Sequence, residues 1–397
     1  MSTAVVLFTR DLRVRDNPAL SYAVRSSDQV VPLFVVDPSI RAGANRWRFL
    51  VESLADLRES LRRLGGDLVV RRGDPVAEVI RLATSVGAQR IVAAADVTEY
   101  GQRREARLRA AADSHRLEFT AHPGLTVVPP GAVRPSGGGP AYRVFTPYWR
   151  AWSDLPRRPV FGAPRVIRLP AGLDAGSLPA LPAGGSPDVV PGGEVAARRR
   201  MRAFLRRADE YPDGHDALAA DRTSHLSPYL RFGCLSPLEL AGAALPDAVV
   251  RQLCWRDFFH QLTAAQPTLT RDPLRNVDEA WRVDPEQLGR WQEGRTGVPI
   301  VDAGMRQLLA QGWMHNRARM IVASYLTKGV GLDWRDGARW FGEWLLDGDV
   351  PNNYGNWQWV AGTGTDTKPY RRFSPERQAR RFDPDGAYVR RFVNELS

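Results

Sequence analysis

Short, nearly uninterrupted apolar runs separated by longer amphipathic stretches open this chain. Val5 to Phe8, Val30 to Val36, Leu68 to Val70 and Ile91 to Ala95 are rich in β-branched residues, the pattern of strands buried on both faces of a parallel sheet. Between them, Asn45 to Leu64, Pro75 to Val86 and Gln102 to Ser114 repeat apolar positions with a helical period. This alternation predicts a doubly wound parallel-sheet α/β domain over residues 1–125. After the first strand the chain reads Thr9-Arg-Asp-Leu-Arg-Val-Arg-Asp-Asn-Pro18, with no GxGxxG turn, so a dinucleotide held there in the Rossmann manner is not expected.

The pattern then breaks. From Pro129 to Gly193, Pro, Gly, Ala and Ser dominate, which predicts an extended connector over residues 126–193. Tyr142-Arg-Val-Phe-Thr-Pro-Tyr-Trp149 interrupts it with enough aromatic surface to dock on something. From Glu194 helical periodicity takes over: Arg198 to Ala208, Pro237 to Ala244, Val249 to Ala264, Asp302 to Gln311 and Arg317 to Thr327 are amphipathic. Residues 194–397 therefore read as an all-α domain.

Composition narrows the class. A chain of 397 residues with 43% hydrophobic and 25% charged residues is an ordinary soluble globular protein, long enough for two cores. A net charge of +11 favours an anionic partner. Only Lys328 and Lys368 are lysines, however, and an arginine-rich composition also arises without selection for binding. Cys234 and Cys254 have no metal-ligand spacing and are too few for a disulfide framework. With no basic leader and no membrane-length apolar run, a cytoplasmic location is expected.

The densest chemistry lies in Asp347-Gly-Asp-Val-Pro-Asn-Asn-Tyr-Gly-Asn-Trp-Gln-Trp359. Carboxylates and amides suit the polar edge of a planar cofactor, and neighbouring indoles can pass electrons or stack on a flat molecule. Of the 12 tryptophans, Trp357 lies in this segment, and Trp334 and Trp281 lie in further segments read as helical, from which the three could line up towards the surface. Filling a helical core is the commoner use of any single indole. Thr223-Ser-His-Leu-Ser227 brings hydroxyls to a helix start, which serves as a phosphate cradle or as a plain N-cap. Gln252-Leu-Cys-Trp-Arg-Asp-Phe-Phe259 and Gly312-Trp-Met-His-Asn-Arg-Ala-Arg-Met320 are two further polar-aromatic helical segments.

Six motifs in order, Phe8 to Leu20, Thr223 to Ser227, Trp255-Arg-Asp-Phe258, Gly297 to Leu308, Gly312 to Met320 and Asp347 to Trp359, resemble the photolyase/cryptochrome flavoproteins, above all class I cyclobutane pyrimidine dimer photolyases. The resemblance runs from residue 3 to the last residues. It implies FAD in the helical domain, with its phosphates on Thr223, Ser224, His225, Leu226 and Ser227 and with Tyr211 nearby. Arg256 and Arg319 would neighbour the flavin, Arg319 pairing with Asp347, while Asp349 would bond the pyrimidine edge and Asn353 face the central nitrogen. A neutral amide there suits a reduced flavin. Trp357, Trp334 and Trp281 fall on the family's electron relay.

For the substrate, the resemblance implies a pocket walled by Trp255 and Trp359, with Gln252, Asn316 and Met320 at its edge and Arg317, Arg371 and Arg372 on the DNA phosphates beside a flipped-out lesion. Enzymes for the six-four photoproduct carry histidines at the positions of Asn316 and Met320; none stands here. The implied function is light-driven repair of cyclobutane pyrimidine dimers, acting as a monomer, with a non-repairing blue-light receptor as the alternative. Three departures bear on it: Gln252 replaces a frequent glutamate, His215 a frequent arginine, and relatives usually continue past Asn394-Glu-Leu-Ser397. In the α/β domain, Glu99-Tyr-Gly-Gln-Arg-Arg104 is more similar to the deazaflavin-binding type of antenna site than to the folate type, beside which an empty site or plain charged surface stay open.

Overall fold

The structure is a computed structural model that describes residues 1–275, 277, 280–368 and 370–393. Five strands, β1 (Thr3–Phe8), β2 (Gln29–Val36), β3 (Val69–Arg72), β4 (Arg90–Ala94) and β5 (Glu118–His122), form one parallel sheet in the order β3-β2-β1-β4-β5. The helices between them are α1 (Pro18–Ser26), α2 (Ala44–Arg63), α3 (Pro75–Ser85) and α4 (Glu99–Ser114). Asn17, Asp74 and Thr98 cap α1, α3 and α4 through their side chains, which satisfies N–H groups that the first turn leaves open. In register, Ala4 faces Val30 on one side and Arg90 on the other. The chain reverses direction of travel across the sheet between β1 and β4, which makes the carboxyl ends of those two strands the crevice of this fold.

Two elements escape the hydrophobic pattern. Strand β5, Glu118-Phe-Thr-Ala-His122, has one large apolar side chain because it is an edge strand. Helix α1 has 9 residues, too few to repeat a helical period more than about twice.

The segment predicted as an extended connector is ordered on the molecule instead. Helix α5 (Phe145–Asp154) lies within it and buries Phe145, Tyr148 and Trp152. Further on, Val70 donates to Ala175 O at 2.8 Å, Val30 to Arg168 O at 2.9 Å, and the amides of Gly192, Gly193 and Glu194 reach Glu52, Ser53 and Asp56 of α2. Pro and Gly here serve close packing against a helix and a sheet, which composition alone does not separate from a free linker.

The helical domain contains α6 (Glu194–Leu205), α7 (Tyr211–Gly214), α8 (Ser227–Phe232), α9 (Pro237–Ala241), α10 (Asp247–Ala265), α11 (Pro285–Gln292), α12 (Pro299–Gln311), α13 (Asn316–Ser324), α14 (Trp334–Trp344), α15 (Val350–Ala361), α16 (Pro375–Phe382) and α17 (Ala387–Phe392). After α13 a π-helical turn, Tyr325–Val330, widens the chain before α14. The domains interlock where α8 ends: Gly233 has φ +67, and a Cβ there would run into the backbone of Arg10. One apolar cluster joins Phe8, Phe49, Tyr148, Phe204, Tyr229 and Phe258 across that junction. No helix among the described residues is long and apolar enough to cross a membrane.

Candidate active site

Helix α8 begins at Ser227 without a side-chain cap, so its first N–H groups are open. The loop before it is folded around Asp221. His225 Nε2 lies 2.6 Å from Asp221 Oδ2, and the Thr223 hydroxyl donates to Oδ1 at 2.8 Å. Burial works against the charge on Asp221, but these partners hold its pKa below the usual range. Asp221 and His225 have φ of +42° and +53°, a strained turn that the Asp221 contacts and the stacking of His225 on Trp313 at 3.8 Å maintain. Arg200 and Arg207 take the carbonyls of Ser224 and Thr223 at 3.0 and 3.2 Å. With its carbonyls so occupied and the Thr223 hydroxyl spent on Asp221, the loop has the Ser224 and Ser227 hydroxyls left to donate to an anion. Tyr211 stacks on His215 at 5.0 Å, and burial pushes its phenol up to about 12.

Helix α15 carries the acidic-amide segment. Arg319 holds Asp347 in a bidentate pair at 3.0 and 2.8 Å and spends its Nε on Met314 O at 2.8 Å. Asn353 donates from Nδ2 to Ala338 O at 2.8 Å, which ties α15 to α14 and leaves the amide oxygen free of that bond. The helix approaches its neighbours closely: a Cβ on Gly337 would collide with the Trp357 ring, and one on Gly355 with Phe259.

That approach orders three tryptophans. Trp357, 2% exposed, rests on Gly337 of α14, and Trp334 stands one turn earlier on the same helix, fully buried. Trp334 follows Leu332, which forms a backbone bridge to Arg282, the residue after Trp281. Trp281 is half-buried and lies in a loop before α11, not in a helix as the sequence suggested. Trp334 and Trp357 both have a buried Nε1 without a hydrogen-bond partner among the described residues.

Helices α10 and α13 each pack on α15, and the three bear the expected substrate-facing residues. Gln252 and Asn316 are exposed, Trp255 and Trp359 half-buried, and Asn316 Nδ2 lies 3.9 Å from Met320 Sδ. Trp359 stacks on Phe373 at 6.2 Å, with the Arg371 guanidinium 5.3 Å from its ring centre. Arg371 is also 3.6 Å from Asp366, whereas Arg372 is exposed. Arg317 differs from its expectation as a phosphate contact: Asp216 pairs with it at 2.9 and 2.8 Å, and it covers Phe382 at 4.3 Å. Arg256, expected beside the flavin, donates to the carbonyls of Leu125 and Leu230.

Residues 4–165 match the family model for DNA photolyase, and residues 249–397 that for the FAD binding domain of DNA photolyase. A deoxyribodipyrimidine photo-lyase of Streptomyces griseus is 48% identical over 100% of this chain and 90% of that protein. The chain belongs to the photolyase/cryptochrome family. Among solved structures, a bacterial class III photolyase from Agrobacterium tumefaciens superposes with a TM-score of 0.93 at 34% identity, covering 100% of this chain and 87% of that one. A cryptochrome of Synechocystis does so with 0.92 at 30% identity, covering 100% and 89%.

This photolyase-family chain also has a buried charge cluster at the crevice between β1 and β4, which joins residues of three separate motifs. Asp349, the N-cap residue of α15, directs its carboxylate across the domain boundary to Arg10, and Arg10 lies 3.5 Å from Asp96. His260 approaches Asp349 at 3.7 Å. Burial opposes ionisation of Asp349, but Arg10, His260, Arg256 and Arg231 hold its pKa well below the usual carboxylate range. Burial and then Arg256 bring His260 down to about 4, so it is neutral. Arg231 falls to about 9 through burial and the neighbouring Arg10 and Arg46. The Nε atoms of Arg10, Arg46, Arg104 and Arg231 are buried without a partner among the described residues. The members come from positions 10 to 349; Asp349 and Arg256 were expected beside the flavin, and no spacing in the sequence points to their meeting Arg10 and Asp96. The one sequence signal is polar residues placed directly after buried strands, at Arg10 and Asp96.

Proposed function

We propose that this chain binds FAD in its helical domain and uses light to split cyclobutane pyrimidine dimers in DNA. The residues present suit the cofactor: the uncapped start of α8 and the Ser224 and Ser227 hydroxyls suit its phosphates, and the Arg319–Asp347 pair and the Asn353 amide suit the polar edge of its ring. Bound FAD supplies the excited electron that opens the cyclobutane ring and receives it back. The protein then has to stack the flipped-out bases, exclude water and withhold protons. Trp255 and Trp359 offer aromatic faces for the first task. Trp357, Trp334 and Trp281 offer a path for electrons from the surface.

One observation carries the choice of lesion: α10 and α13 each pack on α15, the three helices carry Gln252, Trp255, Asn316, Met320 and Trp359, and none of these five side chains is an acid. A six-four photoproduct demands a proton donor, whereas a cyclobutane dimer needs only an electron. The proposal covers dimer repair and does not extend to the class I branch, because the class III structure matches the whole chain. A single copy holds every residue named, which fits action as a monomer.

Illumination of the reduced protein with a dimer-containing oligonucleotide is expected to restore thymine absorbance. Flavin-bound protein without that recovery would point to the second reading, a light receptor, which the likeness to the Synechocystis cryptochrome and the uncharged Gln252 favour.

The Glu99 to Arg104 stretch beside the crevice between β1 and β4 suits a deazaflavin-type antenna, a planar molecule with acceptor groups for the buried Nε and Nη2 of Arg104, which have no hydrogen-bond partner among the described residues. Arg104→Met is expected to remove a second absorption band and the repair driven at that wavelength, while repair driven through FAD alone persists. A parent protein with FAD as its sole chromophore after reconstitution with deazaflavin would end this part of the proposal.

A further inference from the structure

Trp255 is expected to stack on the lesion, yet one of its faces is already taken. The ring of Phe145, from α5, lies parallel to it at a centroid separation of 3.6 Å and an interplanar angle of 2°. Phe258 meets the indole edge-on at 5.5 Å, and Phe259 packs at 5.9 Å. Phe145 is only 6% exposed, and its own position is fixed from several sides. It meets Phe258 edge-on at 5.8 Å, and the Arg251 guanidinium sits 5.2 Å from its ring and 5.7 Å from that of Trp149. Two turns along α5, Trp152 donates from Nε1 to buried Asp257 at 3.0 Å, the same carboxylate that accepts from Val128 N at 2.9 Å. Asp257 is two residues from Trp255, so α5 is attached to α10 on both sides of the indole.

We propose that Phe145 is a positioning residue for dimer recognition, holding Trp255 in one rotamer with a single face presented to the lesion. An indole free to rotate has to lose that freedom when a base pair stacks on it, and a pre-stacked one does not. The inference rests on the reading of Trp255 as a lesion wall. It assigns a task in recognition to the segment between the two domains, through a residue that touches neither flavin nor DNA phosphates.

The test compares binding to dimer-containing and undamaged oligonucleotides in FAD-loaded protein. Phe145→Ala is expected to weaken binding to damaged DNA roughly tenfold, the scale of one well-formed aromatic contact. Binding to undamaged DNA, which phosphate contacts dominate, should stay the same. Repair should show a raised KM with kcat per absorbed photon unchanged at saturation. Phe145→Leu fills the site without supplying a parallel ring, guards against misfolding of the alanine variant, and should show the same split in weaker form. Equal losses on damaged and undamaged DNA in both variants, or damaged-DNA affinity unchanged in Phe145→Leu, would overturn the proposal. Trp359→Ala separates the two levels: if it also leaves discrimination intact, the lesion pocket itself is misassigned.

Discussion

Asp349→Asn is expected to lower folding stability at pH 7 by about 3–5 kcal/mol, the cost of removing one partner from a buried ion pair. Asp349 is 4% exposed and faces Arg10, Arg231, Arg256 and His260, so the amide would leave several buried guanidinium groups with Asp96 as their main remaining counter-charge. Because Arg10 belongs to the α/β domain and Asp349 to α15, the loss falls on the junction between domains. The pH dependence has a definite sign. The folded pKa of Asp349 lies below its unfolded value of about 3.9, so its contribution is complete above that pH and fades as pH falls through the folded pKa. Thermal melting of parent and variant should differ most at neutral pH and converge in acid. A gap that is constant across pH, or absent at pH 7, would show that the pairing carries little energy.

This cluster also marks where sequence reading stopped. Parallel strands such as β1 were legible because burial on both faces writes an unbroken apolar run, and the stretches read as amphipathic after Glu194 fall on α6, α9, α10, α12 and α13, while α16 was passed over. The Arg319–Asp347 pair was expected from linked motifs and is present as a bidentate contact. Asp349 was expected at the flavin edge, and its carboxylate also meets Arg10, 339 residues away in sequence. Such a pair has no period and no spacing, and only the fold brings it together. The same holds for α5: Phe145, Tyr148 and Trp152 write a helical stripe, but surrounding Pro and Gly masked it as a linker. Arg317 shows a third kind of difference, since a surface arginine reads as a phosphate contact until its carboxylate partner Asp216 is in view.

Trp357→Phe should reduce light-driven recharging of oxidised FAD by an external reductant to below about one-tenth of the parent rate, equivalent to more than about 1.4 kcal/mol of effective barrier. Phenylalanine keeps much of the packing against Phe341 at 5.0 Å and Trp291 at 6.0 Å, so the core should survive. It is far harder to oxidise than an indole, and so interrupts the succession at its innermost member. Trp281→Phe removes the half-buried outer member and should slow recharging less, because Trp334 still accepts the hole. Repair by protein reduced chemically beforehand should proceed at the parent rate in both variants, since an electron that returns after each turnover does not draw on the relay. The two assays therefore separate recharging from repair. Recharging at the parent rate in Trp357→Phe would mean that electrons enter by another path, and that Trp357 is one more buried indole filling the core between α14 and α15.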